Sequence, residues 1–396
     1  MKKSKVIVAS TDLNKEGDAM NILIAPDSFK GSLSALKASM IMKQAFLDEY
    51  EGSHVEIVPM ADGGEGTLET LIYATGGKQI SIEATGPLGE TITTEYGILG
   101  DRKTVVIEIA AISGLPLVPK EKRNPHNTTS YGVGEVILAA INEGYREFII
   151  ALGGSSTNDG GFGMLQALGV SFLTEEGSPV DQYGRSLQYI TQIDWNTINP
   201  LVFECTFKIA SDVNNPLCGE NGASFTFGRQ KGATKEQIIQ LDQQLLSFSN
   251  LVESATGKDV KDHKGAGAAG GLGFAFLHLN GIITSGAELV AKEVNLIPAI
   301  KKADWILTGE GQSDRQTLYG KLPYYIAKLA KQEHTPISLV SGSLGDGYEQ
   351  LFHYFTSCHT ITIGPMTLEQ CFNQAEELLY HETKNLARLL SVTKKS

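Results

Sequence analysis

Two textures of apolar spacing alternate along the chain. Short continuous apolar runs lead into polar, glycine-containing turns, and these lead into apolar positions repeated at three- and four-residue spacing. The first run, Asn-Ile-Leu-Ile-Ala-Pro at residues 21–26, predicts a buried strand, followed by a helix over 34–50 with Ser32 or Ser34 as its cap. Residues 54–60 predict the next strand and 65–77 the next helix, stopped by Gly76 and Gly77. This β-α-β-α opening points to a largely parallel sheet.

Between residues 78 and 111 the pattern becomes alternating β segments parted by Gly, Pro and Asp turns, the mark of antiparallel or mixed sheet. A helix over 132–144, strands at 147–154 and 206–213, and a polar surface helix over 234–257 follow. From residue 303 the βα rhythm returns: strand 303–311, helix 322–334, strands 335–343 and 357–365, and a long terminal helix over 368–392. The expected fold is α/β with two α/β domains. Residues 20–85 and 285–396 form a discontinuous domain with a mainly parallel sheet, and residues 86–284 form an inserted domain with a mixed sheet. Residues 1–19 read as an N-terminal extension, because the clean strand starts after Met20 and the basic opening holds an apolar core, Val6 to Ala9, too short for an export signal.

Composition narrows the function classes. At 396 residues, 41% apolar and 20% charged, the chain is long and apolar enough for two cores and excludes disorder. A net charge of −12 argues against a nucleic-acid surface, and no apolar run reaches membrane-spanning length. The four cysteines, Cys205, Cys218, Cys358 and Cys371, lie far apart with no zinc-like spacing, so buried thiols in a reducing cytoplasm are expected. The 43 glycines matter more. They gather in polar loops that follow strands, and in open α/β sheets such loops converge on one crevice at the strands' carboxyl ends.

Each loop has a bland reading and a chemical one. Residues 25–32 carry Asp27, Ser28, Lys30 and Gly31: a turn with a helix cap, or a lysine and turn amides that reach an anion. Residues 59–67 place Asp62 before a glycine pair, either a tight turn or a carboxylate positioned for hydrated magnesium. Residues 153–161 join Gly153, Gly154, Ser155, Ser156, Thr157, Asn158 and Asp159 to two more glycines, a loop of small side chains and amides suited to phosphate. Residues 211–223 supply Asp212, in a setting that ordinary turns also favour. Residues 308–321 bring Glu310, Asp314, Arg315 and Lys321 into one connection, a set suited to a metal, a phosphate and a general base. Gly-Ala-Gly-Ala-Ala-Gly at 265–270 matches a dinucleotide fingerprint only formally, since no buried strand precedes it, and it reads as a glycine loop lining the cleft. No nucleophile elbow and no ordinary P-loop occur.

Seven strings taken in order, among them APDSFKGSL, MADGGEGT, GGSSTNDGG, SDVNNPLCGENGA and LTGEGQSDRQTLYGK, resemble the first type of the glycerate kinase family. The resemblance implies two α/β domains, one with a Rossmann-like or flavodoxin-like sheet, and an active site in the crevice between them. It implies ATP- and Mg2+-dependent phosphorylation of D-glycerate to 2-phosphoglycerate by a cytoplasmic enzyme, a monomer or homodimer without nucleic-acid or membrane partners. The alternatives are a 3-phosphoglycerate product, another small hydroxy acid as acceptor, or a sugar-acid-binding protein without catalysis. Within that frame Lys30, Lys321 and the amides of Gly153 to Thr157 stabilise charge, with Ser28 and Asn158 beside the phosphates. Asp62 and Asp212 hold magnesium, Asp314 accepts the hydroxyl proton with Asp159 as the second choice, and Arg315 grips the substrate carboxylate.

Overall fold

A computed structural model describes residues 19–393, so the expected extension lies outside the described residues except for Ala19. In chain order the strands are β1 (Asn21–Ile24), β2 (His54–Ile57), β3 (Lys78–Thr85), β4 (Thr91–Ile98), β5 (Thr104–Glu108), β6 (Glu147–Ala151), β7 (Ser171–Leu173), β8 (Gln192–Asp194), β9 (Thr206–Ala210), β10 (Ile282–Thr284), β11 (Trp305–Ser313), β12 (Ile337–Leu344) and β13 (Ser357–Thr360). A wholly parallel sheet runs β13-β12-β11-β1-β2. A mixed sheet runs β10-β9-β6-β5-β4-β3, with β4 and β3 antiparallel, and β7 and β8 form a short antiparallel pair. This is the mixed α/β architecture expected from the sequence.

Numbered within itself from β2, the parallel sheet has the order 2-1-3-4-5 of flavodoxin-like doubly wound folds. The winding follows from side-chain parity, since alternate residues of a strand face opposite sides. Ile22 and Ile24 of β1 pack with Ala38, Met42 and Phe46 of helix Ala35–Glu49, which leads to β2 and is capped by Ser34. Leu23 and Ala25 face the other side and share a core with Ile326, Ala327 and Ala330 of helix Leu322–Gln332, which leads from β11 to β12. The connections therefore leave β1 and β11 on opposite faces, and a crevice opens between the carboxyl ends of these two strands.

The same core continues into the second sheet. Leu68 and Leu71 of helix Thr67–Thr75 and Ala287 and Val290 of helix Gly286–Glu293 join Leu23, Ile306 and Leu339 of the parallel sheet to Val106, Ile149 and Ala210 of the mixed one. The far face of the mixed sheet, with Ile107, Phe148, Ile150 and Phe207, is covered by helices Tyr131–Asn142 and Leu272–His278.

Three details differ from the sequence reading. β3, which the expected division leaves with the first domain, pairs along its whole length with β4 in the mixed sheet. β11 does not stop at Gly311 but pairs with β12 as far as Ser313, so Gln312 and Ser313 belong to the strand. The terminal helix is broken at Gln374 into Leu368–Asn373 and Ala375–Thr393. The bend lets Phe372 lie over Gly31 while Ala375, Leu378 and Leu379 remain in the core.

Candidate functional site

The crevice encloses a cavity of about 570 Å³. The turn after β1 contributes Asp27, Ser28 and Lys30, the loop after β2 contributes Asp62, and the loop after β9 contributes Asp212. Glu310 and Gln312 come from β11, Lys321 from the start of helix Leu322–Gln332, and Ser343 from β12. The segment after β13 adds a mostly apolar wall of Ile361, Leu368, Cys371, Phe372 and Ala375, and Phe29, Tyr319 and Leu322 also face the cavity.

The charged side chains hold one another in place. Lys30 Nζ lies 3.2 Å from Asp62 Oδ2, while Asp62 Oδ1 accepts from the Gly64 amide at 3.0 Å. Asp62 first, and then Asp27, keep the Lys30 ammonium charged above its ordinary value, while burial pulls the other way. Lys321 Nζ is 3.4 Å from Glu310 Oε2 and donates to the Gln312 carbonyl at 3.3 Å. Glu310 Oε1 accepts from Ser313 Oγ and Thr317 Oγ1, both at 2.8 Å, which aims the carboxylate at the cavity. Asp212 Oδ1 accepts from the Gly286 amide at 3.0 Å, and burial raises its pKa. Asp27 is 7% exposed and accepts from the Ser28 amide at 2.7 Å. Burial first, then the nearby Asp62, push its carboxyl up to about 7.

Of the residues expected from sequence, Ser28, Lys30, Asp62, Asp212 and Lys321 line this cavity together. Asp314 and Arg315 do not line it. Asp314 caps the 3-10 helix Arg315–Tyr319, accepting from the Gln316 amide at 2.7 Å, and Arg315 lies on the surface against Gly347. Asp159 is fully buried and spends its oxygens on Ser130 and the Gly161 amide, so it serves the interior of the second sheet's body rather than a substrate.

The loop that begins at Gly153 does not line the cavity either, and several of its side chains turn inward. Lys231 Nζ donates to Ser155 Oγ at 3.0 Å and to the Thr157 carbonyl at 2.6 Å. Ser156 Oγ donates to the Ser113 carbonyl and Asn158 Nδ2 to Ser224 Oγ. Only Gly153 and Gly154 reach the surface, where Gly153 abuts the Asp62 loop through a 3.2 Å bond to the Gly63 carbonyl. The glycine loop at 265–270 packs beneath it, with the Gly160 amide bonded to the Gly270 carbonyl, and does not line the cavity. Of the four thiols, Cys205 alone is buried.

Three participants carried no assigned role in the sequence reading. Asp27 lies within its quoted loop, but its raised pKa depends on partners distant in sequence. Glu108 ends β5 and accepts from the Gly66 and Leu68 amides, both at 3.1 Å, anchoring the Asp62 loop to the other sheet. A lone acid closing the apolar run Val-Val-Ile was its signal. Lys231 is fully buried and held down to about 7 by desolvation, and nothing in its polar neighbourhood in the sequence marks it.

Fold and site together define an α/β protein whose switch-point crevice carries lysines and carboxylates suited to phosphoryl chemistry. The chain matches the Glycerate kinase family model over residues 22–391 and belongs to that family of enzymes. It is 44% identical to the glycerate kinase of Halalkalibacterium halodurans, over 94% of this chain and 99% of the relative. It is 42% identical to the glycerate 2-kinase of Escherichia coli, over 94% and 98% respectively. The crystal structure of a Salmonella typhimurium LT2 protein assigned as glycerate kinase 2 superposes with a TM-score of 0.85 at 38% identity, covering 96% of this chain and all of the other. Among the described residues no helix is long and apolar enough to cross a membrane.

Proposed function

We propose that the chain transfers the γ-phosphoryl group of ATP to a hydroxyl of D-glycerate, giving 2-phosphoglycerate and ADP. The observation that carries this reading is the meeting of Lys30, Lys321, Asp27, Asp62 and Asp212 on one cavity at the switch point. The acceptor is supported by relatives named for glycerate phosphorylation that match almost end to end. The two sheets are read as the two domains that border the crevice, with β3 counted to the second.

Phosphoryl transfer asks a protein for position and charge balance rather than for a covalent bond. Lys30 and Lys321 balance the negative charge that spreads over the moving phosphoryl group. Ser28 and the turn amides at Lys30 and Gly31 donate to phosphate oxygens. Asp62 and Asp212 would hold a magnesium ion, which when bound neutralises charge on the triphosphate. Their hard oxygens suit it. Among the described residues no three His, Cys, Asp or Glu side chains cluster to ligate a metal unaided, and magnesium commonly uses one or two carboxylates with phosphate oxygens and waters.

Asp27, with its carboxyl near 7, replaces Asp314 as the acceptor of the hydroxyl proton. The glycerate oxygen bonds to the γ-phosphorus as the bridge to the β-phosphate breaks, ADP leaves, and the proton passes to Asp27. Incubation with D-glycerate, ATP and MgCl2, read by phosphorus NMR, is expected to give ADP and 2-phosphoglycerate. Binding without ADP formation overturns the kinase reading, and a 3-phospho resonance overturns the regiochemistry.

A further inference from the structure

The cavity is lined by two chemically different sets of residues. One is charged, with Lys30, Asp62, Asp212 and Lys321, and the other is the apolar wall from the segment after β13. That wall is open: Leu368 is 70% exposed and Phe372 42% exposed. Phe372 also lies against the turn that carries Lys30, since a β-carbon built on Gly31 would come within 3.2 Å of its ring. A flat apolar surface therefore stands one residue from the ammonium group assigned to the phosphates.

D-glycerate is a three-carbon acid with no apolar face to cover such a wall, and a triphosphate has none either. The only part of the proposed reactants that buries a flat apolar surface is the nucleotide base. We propose that Leu368, Cys371 and Phe372 form the subsite for the purine ring of ATP, with the triphosphate running over Gly31 towards Lys30. Phe372 covers one face of the ring, and Ile361 and Ala375 close the pocket behind it. This assignment rests on the ATP-dependent reading above.

Cys371 supplies the probe, because it lines the wall and its thiol is free. The full-length protein is treated with N-ethylmaleimide alone, with ADP, or with D-glycerate, and labelling of Cys371 is followed by peptide mass spectrometry. Binding of ADP is verified separately by titration calorimetry. Saturating ADP is expected to slow labelling of Cys371 by about tenfold or more, while D-glycerate leaves it unchanged. Protection by D-glycerate but not by ADP overturns the proposal, as does verified ADP binding without protection.

In the kinetic arm, Phe372→Ala is expected to raise the KM for ATP about tenfold or more, from the loss of one base-stacking contact. The kcat and the KM for D-glycerate stay close to those of the unsubstituted enzyme, and Phe372→Tyr restores the KM for ATP. Equal loss in both KM values overturns the proposal. Turnover without ADP protection refutes this subsite and spares the kinase reading. ADP protection without turnover does the reverse.

Discussion

Replacing Asp27 with asparagine separates what this residue costs the fold from what it does for the reaction. Burial and Asp62 hold the carboxyl at about 7 instead of 3.8. Below about pH 4 the folded and unfolded chains both keep the proton. As pH rises the unfolded chain gives it up first, so native stability falls between about pH 4 and pH 7 and the loss is complete above that. Moving a carboxyl from 3.8 to about 7 corresponds to about 4 kcal/mol. Asparagine keeps an oxygen for the Ser28 amide, now at 2.7 Å from Asp27 Oδ1, and cannot ionise. Desolvating its amide takes back part of the gain. Asp27→Asn is therefore expected to be more stable than the unsubstituted protein by about 2–4 kcal/mol at pH 8 and by little at pH 4. Urea unfolding of both proteins at pH 4, 6 and 8 measures this, and ADP release at pH 8 is expected to drop by about 10²-fold or more. Parallel stability–pH curves refute the electrostatic argument, and near-normal turnover removes Asp27 from the base role.

Asp314→Asn preserves the cap of helix Arg315–Tyr319, because asparagine caps as well as aspartate, and turnover is expected within a few-fold of normal; a loss of orders of magnitude would return the base to Asp314. Lys30→Met breaks an exposed ion pair worth at most about 1 kcal/mol, so the urea midpoint is expected to hold while ADP release falls by about 10²-fold or more; a lowered midpoint with intact turnover contradicts this. Gly153→Ala puts a β-carbon 2.3 Å from Gly64 Cα and is expected to cost about 1–3 kcal/mol, read as a lowered Tm; an unchanged Tm would mean the two loops yield freely.

The elements that local pattern defines were legible in the sequence. The apolar runs at Ile22 and Ile306 mark central strands, Thr234 and Gln237 box the start of helix Lys235–Thr256, and Gly76 ends helix Thr67–Thr75 in the left-handed conformation. What pattern cannot carry is which residues meet. Gln312 and Ser313 read as loop because their strand conformation depends on pairing with β12. The Ser155 loop has the composition of a phosphate cradle, yet Lys231, 76 residues away, and Ser113 claim its groups. Asp159 reads like Asp62 in sequence, but burial gives it Ser130 as a partner where Asp62 has Lys30 and the cavity. The apolar wall was hidden inside what looked like one continuous helix, because the break at Gln374 serves the packing of Phe372 and Ala375 rather than any local stop signal.

The hydrophobic cluster common to both sheets has a consequence for how the molecule comes apart. Val106, Ile149 and Ala210 share one continuous hydrophobic cluster with Leu23 and Leu339, so neither half owns a complete interior. Denaturation that strips one half uncovers the other, so the halves are expected to melt as a single cooperative unit despite their separate sheets, seen as one calorimetric transition. Excising the middle of the chain would yield an aggregating fragment with a bare sheet face rather than an independent module.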